Sequence, residues 1–333
     1  MSLRMAKKFM ENINNNLKEI TNLLEWQNFL DKAERQHCFF SVVWEKQVEN
    51  YFSDWQFKHF LFKDNFLVSV LVNKEGRAVS VPFSEVGNII ALDYSQELDT
   101  NDLKIVLANI FNSFKLTVNI FYCPVKNIEE TMLIDYVLPL NKFNSLEELE
   151  NNYRKTTRQE IEKSKVEIKV MENIKELKQV YKLYLKNIRA KMNLVLPYSF
   201  FEYWFQNKET FLLSLMNGKI VGFSLYLENK NLTHYFLNAS SLVGKQSGAT
   251  HALLSSQIKN SFNKQIKYFE FGGTKKDSNL EIFKKGWGGE VYNIYTISNQ
   301  EFVNIKSKGR TLWKFVPLCL LPYLSKILWK RFL

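Results

Sequence analysis

Apolar positions along the chain alternate between helix-like and strand-like spacing. Residues 9–35 carry helical spacing at Ile13, Leu17, Ile20, Leu23 and Leu24, followed by WQNFLDKAERQ. From Phe57 the period changes. FKHFLFK and FLVSVLV lead to a turn at Asn73–Gly76 and then RAVSVPF, which predicts a hairpin. Leu103, Val106, Leu107, Ile110 and Phe114 predict a helix over 101–114, and KLTVNIFYC and MLIDYVLPL predict strands. Ser145 stands where a helix N-cap belongs, before LEELENNYRKTTRQEIEKSK. VEIKVM reads as a strand. Residues 174–192 read as a helix whose apolar stripe runs through Leu177, Val180, Tyr181, Tyr184, Leu185 and Ile188, with Lys178, Lys182 and Lys186 on another face. Pro197 opens a helix through Phe205. Asn217–Gly218 between FLLSLM and KIVGFSLYL is a strong hairpin signal. Strand LTHYFLNA, a helix over 247–262, strand IKYFEF ending at a glycine pair, a loop and strand VYNIYTI follow.

The two halves share an order of helix, hairpin strands, helix and strand. FLVS at 66–69 and FLLS at 211–214 open their hairpins alike. This order predicts an α/β, mixed α+β architecture rather than a bundle. It also predicts a first domain over 1–145 with N-terminal helices, a second over 146–300 carrying the active site, and an amphipathic tail over 301–333.

Charge adds a polarity that the pattern does not show. The 333 residues carry +11 overall, but residues 1–150 hold 15 basic against 21 acidic side chains and residues 151–333 hold 30 against 13. The basic half suits a polyanionic partner: nucleic acid, a phosphorylated substrate or an anionic membrane surface. The N-terminus has Arg4, Lys7 and Lys8 but no apolar run after them, so no signal peptide is expected. The C-terminal run Phe315–Leu324 is ten apolar residues, interrupted by Pro317 and Pro322. Trp313, Trp329, Lys314, Lys326, Lys330 and Arg331 flank it, a composition that suits either a membrane interface or docking on the protein's own core. Cys38, Cys123 and Cys319 form neither a disulfide framework nor a zinc pattern, which implies reduced thiols. The four histidines show no metal-ligand spacing, so no metal is expected. There is also no Walker A loop, no G-x-S-x-G elbow and no H-E-x-x-H.

Glycine is scarce, yet seven of the 12 lie within 244–289. Gly248 falls in the first turn of a predicted helix with Lys245 beside it, where exposed N–H groups suit a phosphate or carboxylate. Gly272 and Gly273 precede a loop bearing Lys275 and Lys276, with Lys284 and Lys285 beyond.

The run YFEFGGTKKDSNLEIFKKGWGGEVYNIY resembles the C-terminal motif of the FemAB-like transferases: an acidic-aromatic strand, paired glycines, a loop, Phe-Lys and Gly-aromatic-Gly. These are Glu270–Phe271, Gly272–Gly273, Phe283–Lys284 and Gly286–Trp287–Gly288. LNASSLVGKQSGATHALL, which holds Asn238, Lys245 and Gly248, resembles the family's strand-loop-helix. YRKTTRQEIEKSK resembles its Arg-containing helix, and VSVPFSEVGNII its Pro-Phe-x-x-x-Gly stretch. The resemblance spans about residues 25–300 and implies two tandem GNAT folds. It implies transfer of an acyl or aminoacyl group onto an amine of a phosphate-linked cell-envelope precursor, of peptidoglycan or polysaccharide, at the inner face of the cell membrane. The donor would be aminoacyl-tRNA or acyl-CoA, with no tightly bound cofactor. Lys284 falls on the motif lysine that stabilises the reacting carbonyl, and Glu270 or the substrate would take the proton. Arg154 or Arg158 falls where a phosphate-contacting arginine belongs, and Gly272, Gly273 and Trp287 would shape the substrate site. The coenzyme A loop is degenerate here, as Lys245-x-x-Gly248-Ala249-Thr250. Two alternatives stand beside this reading: a coenzyme A-dependent N-acyltransferase acting on a sugar or nucleotide sugar, and a non-catalytic tandem GNAT module that binds RNA or membrane.

Overall fold

The computed structural model describes residues 17–83, 87, 89–127, 133–191, 193–299 and 313–332. Ile13 and residues 84–86 of the Pro-Phe-x-x-x-Gly stretch lie outside them. The chain divides into two compact units, one drawn from the described residues within 1–136, 272–281 and 291–303, the other from those within 137–271, 282–290 and 304–333.

Unit 1 begins with strand β1 (Leu17–Ile20), helix α1 (Leu23–Lys32), helix α2 (Val42–Tyr51) and strands β2 (Trp55–Phe62), β3 (Phe66–Asn73) and β4 (Arg77–Val79). The helical spacing expected across Leu17–Leu24 is therefore divided. Leu17–Ile20 pair antiparallel with His59–Phe62, and the Asn22 carboxamide accepts from Leu24 N at 2.9 Å, starting α1 there. Strands β5 (Ile89–Ala91) and β6 (Leu98–Asp99), helix α3 (Thr100–Ile110), and strands β7 (Ser113–Asn119), β8 (Val125–Lys126) and β9 (Leu133–Pro139) follow. Strands β1 to β4 are antiparallel in sequence order, and β7 pairs parallel to β4. Alternation along β2 sends Phe60 and Phe62 to one face, where they share a buried cluster with Leu103, Val106 and Leu107 of α3. His59 points to the other, its ring tilted against Trp26 of α1 at 4.3 Å. There His59 Nε2 donates to Glu45 Oε2 at 2.8 Å and Ser69 Oγ to Glu45 Oε1 at 2.9 Å. All three side chains are buried.

Unit 2 contains helices α4 (Leu146–Asn151) and α5 (Lys155–Glu162), strand β10 (Glu167–Val170), and helices α6 (Ile174–Lys191) and α7 (Tyr198–Gln206). Then come strands β11 (Thr210–Met216), β12 (Lys219–Glu228) and β13 (Leu232–Ser240), helices α8 (Leu242–Gln246) and α9 (Ala249–Asn263), strand β14 (Tyr268–Lys275), which is in unit 2 up to Phe271, and helix α10 (Asn279–Lys285), which is in unit 2 from Ile282. Helix α11 (Leu321–Phe332) closes the described chain. Strand β15 (Glu290–Ser298) belongs to unit 1 from Val291 onward and pairs there antiparallel with β7. Asn217 and Gly218, at φ 51° and 71°, make the tight β11–β12 turn that the Asn-Gly pair predicts.

Unit 2 repeats the plan of unit 1. Strands β10 to β13 are antiparallel in order, α9 intervenes, and β14 joins parallel to β13. In this match β11 corresponds to β2, so FLLS and FLVS open different strands of the repeat. On one sheet face, Phe201 of α7 packs on Phe211 and Phe223 at 6.3 and 6.5 Å. On the other, α9 is joined through Ser240–Thr250, Thr233–Ser261 and Glu228–Gln257 hydrogen bonds.

Candidate active site

The site elements of unit 2 converge on the break between α4 and α5. Ser145 Oγ accepts from Glu148 N at 3.1 Å, which caps α4 as its sequence predicts. At the break, Arg154 N donates to Gly286 O at 2.9 Å, and Asn152 Nδ2 donates to Gly288 O at 3.1 Å. These bonds fix the Gly286–Trp287–Gly288 turn to the start of α5. Gly288 has φ +76°, and a Cβ there would strike the Asn152 amide and its backbone oxygen. At Gly286 a Cβ would meet Thr157 Oγ1 at 2.5 Å. Glycine is required at both positions, at Gly288 by conformation and at both by close approach.

Trp287 is fully buried. Its ring lies 5.1 Å from Tyr153, 6.0 Å from His251 on α9, and 6.3 Å from both Phe271 and Phe283. Such aromatic packing gives a rigid, water-poor wall. Burial pushes the Tyr153 hydroxyl up, with Glu150 adding to it. Burial also holds the His251 imidazole below its ordinary range against the opposing pull of Glu160, so the ring is neutral at pH 7.

Lys284 sits in the last turn of α10 and is only 3% exposed, whereas the neighbouring Lys285 is exposed. A helix C-terminus favours a cation, and lysine is seldom buried without a specific environment. Arg154 is exposed at the α5 start, its Nε donating to Thr156 Oγ1 at 2.8 Å. Arg158 Nη1 reaches Asn151 Oδ1 at 3.1 Å.

Other candidates lie apart. Glu270 is fully buried and accepts from His234 Nδ1 at 2.7 Å. In the parallel β13–β14 ladder it stands opposite His234. Strand alternation puts Glu270 on the opposite face of β14 from Phe271, which meets Trp287. Asn238 is half-buried across from Ser224. Lys245 is exposed on α8; burial first, and the Lys245 charge second, hold the Lys191 ammonium below its ordinary range. Gly248 opens α9 at φ 73°, but its Cβ position is only 3.1 Å from Glu160 O, and Ser164 Oγ donates to Ser247 O at 3.2 Å. That corner is packed by the end of α5. Gly272 and Gly273 do not end their strand as expected: β14 runs through them to Lys275, with Gly272 at φ 75°. Sequence reasoning did not single out Asn152, Tyr153, Thr157, His234 or His251. Of these, Tyr153 and Thr157 lie inside the stretch resembling the family's Arg-containing helix, which was the available signal.

Among solved structures, the crystal structure of FemX aligns with 84% of this chain and 97% of its own, at a TM-score of 0.58 and 13% identity. The fold is that of FemX. A conserved protein of unknown function from Bacteroides thetaiotaomicron aligns with 85% of this chain and 99% of its own, at a TM-score of 0.53 and 13% identity. The C-terminal DUF2156 domain of a putative lysylphosphatidylglycerol synthetase from Agrobacterium fabrum aligns with 83% and 93%, at a TM-score of 0.50 and 11% identity. No protein-family model and no curated protein matches the chain. The FemX-like fold agrees with the expected tandem GNAT architecture. Within it, the Gly-Trp-Gly turn and Lys284 fall in unit 2.

Proposed function

We propose that this chain is an acyl or aminoacyl transferase that moves its group onto an amine of a phosphate-linked cell-envelope precursor at the inner membrane face. The observation carrying this reading is Lys284, a buried lysine at a helix end beside a turn fixed to the α4–α5 break. The acceptor amine attacks the donor's ester or thioester carbonyl, forming a C–N bond and a tetrahedral oxyanion. Lys284 Nζ faces that oxyanion, and the wall of Trp287 and Phe283 limits water and strengthens the charge interaction. Collapse breaks the C–O or C–S bond. The amine's proton passes to a basic group of the substrate and then to the leaving hydroxyl or thiolate, since Glu270 is held by His234 on the face of β14 away from Trp287. Arg154 and Arg158 at the α5 start serve the precursor's phosphates.

Aminoacyl-tRNA is the proposed donor. The basic charge of residues 151–333 supports it, as does the degenerate form of the coenzyme A loop, Lys245-x-x-Gly248-Ala249-Thr250. The test offers the protein charged tRNAs and acyl-CoAs, each with a labelled acyl group, together with amine-bearing envelope precursors. Label appearing on the amine from tRNA supports the reading. Transfer from acyl-CoA alone moves the assignment to an N-acyltransferase, and binding of RNA without transfer from any donor moves it to a non-catalytic module.

A further inference from the structure

We propose that the segment Trp313–Trp329 is a pre-docked edge by which the protein lies on an anionic lipid bilayer. This goes beyond the transferase reading and stands independently of which donor is used.

The segment has two opposed sides. Its inner side is fastened to unit 2. Leu321 is fully buried, Ser325 Oγ accepts from Val195 N at 3.0 Å, Trp313 Nε1 donates to Asn193 O at 2.9 Å, and Arg189 Nη1 donates to Val316 O at 3.3 Å. The outer side is apolar and exposed. Phe315 is 79% accessible, Tyr323 68%, Leu320 49% and Ile327 43%. Tyr323 and Ile327 stand at i and i+4 on α11, on a side away from buried Leu321 and Ser325, and exposed Leu320 lies in the turn just before the helix. Four large apolar side chains held outward on a fastened segment differ from singly scattered surface hydrophobics. The inner side meets the core-docking alternative read from the sequence, and the exposed stripe is what the membrane alternative requires.

Charge selects the partner. Lys314 and Lys326 are exposed beside the apolar stripe, and residues 302–333 contain no Asp or Glu. That uniform positive sign matches an anionic surface, and joined to an exposed stripe of aromatic and aliphatic side chains it matches headgroups above an acyl layer, each lysine near the surface strengthening binding by about fivefold. Helix α11 spans 12 residues, and no helix among the described residues is long and apolar enough to cross a membrane. The fitting geometry is therefore insertion of side chains into the headgroup–acyl boundary, with the helix parallel to the surface. Because the inner side is fixed, the inserted residues are already ordered, which lowers the entropic cost of binding compared with a free tail.

The test is sedimentation of the full chain with vesicles of phosphatidylcholine alone or mixed with phosphatidylglycerol. The wild type should bind the anionic vesicles at least about tenfold more tightly than the neutral ones, with the difference shrinking as salt rises. The triple variant Phe315→Ser, Tyr323→Ser, Ile327→Ser should lose binding by tenfold or more. It should keep the wild-type unfolding midpoint, because these side chains lie outside the core. Lys314→Gln with Lys326→Gln should remove the preference for anionic lipid. Wild-type binding that the triple variant does not reduce, or absence of wild-type binding, overturns the proposal. So does a lipid-free dimer that the triple variant dissolves, which would make a second copy of the chain the occupant. Acyl transfer to a soluble amine reads out the transferase separately, so either claim can fail alone.

Discussion

Replacing Gly288 with alanine tests whether the Gly-Trp-Gly turn is held as described. Two costs arise. The left-handed backbone at φ +76° penalises any side chain by about 1–2 kcal/mol. The new methyl also approaches Asn152 O to 2.7 Å and collides with the Asn152 amide, an overpacking worth roughly 1–3 kcal/mol. Gly288→Ala should therefore lower unfolding free energy by roughly 3 kcal/mol in urea titration. Asn152→Ala alone loses one hydrogen bond to Gly288 O, about 1 kcal/mol. In the double variant the side-chain collision is gone but the backbone contact and the φ cost remain. The combined loss should then be smaller than the sum of the single losses by about 1 kcal/mol, a coupling expected only of residues in contact. A Gly288→Ala cost below about 1 kcal/mol, or strict additivity with Asn152→Ala, would show that the turn is not clamped to the α4–α5 break.

Other consequences are independent of the site. Burial, with the Glu228 charge, pushes the Glu209 carboxyl up to about 7 against the lowering effect of the Glu228 N–H. A carboxylic acid with a raised folded-state value favours folding below pH 4.5 and loses that advantage as pH climbs to 7, up to roughly 3 kcal/mol in principle and about 1–2 for a group partly in water. Glu209→Gln should flatten the fall in stability between pH 5 and pH 8, and an unchanged slope would contradict it. His59→Ala removes the donor to a buried Glu45 whose carboxyl burial already pushes up, and should cost about 3 kcal/mol in thermal or urea unfolding. A loss below about 1 kcal/mol would mean the pair contributes little.

Much of this architecture was legible where local chemistry decides it. Asn217–Gly218 fixes a tight turn because both residues tolerate positive φ, and Ser145 caps α4 through a bond only three residues long. The reading failed where distant partners decide. Leu17 and Ile20 have helical spacing with Leu24, yet β2 offers them a ladder and Asn22 ends the option of one continuous helix. The helical run LEELENNYRKTTRQEIEKSK expected after the Ser145 cap breaks at Tyr153–Arg154, where the backbone bonds to Gly286. Gly272 signals unusual backbone, but whether such a residue ends a strand or kinks within one depends on its neighbours. In the candidate site, motif likeness drew attention to Lys284 and Trp287. The side chains around them, Asn152, Tyr153 and His251, come from positions more than 30 residues away and carry no spacing pattern. His234 and Glu270 meet only through the parallel register of β13 and β14.

The central claim is that Lys284 faces the reacting carbonyl. Its most direct test is the turnover of labelled acyl transfer by Lys284→Ala, measured with whichever donor the panel of charged tRNAs and acyl-CoAs identifies, alongside Lys285→Ala. The account predicts a loss of roughly 10²–10³-fold for Lys284→Ala, on the order of 3–4 kcal/mol in the barrier, with Lys285→Ala near wild type because its side chain lies in solvent. Equal losses in the two variants, or full turnover by Lys284→Ala in a protein that unfolds at the wild-type midpoint, would contradict it.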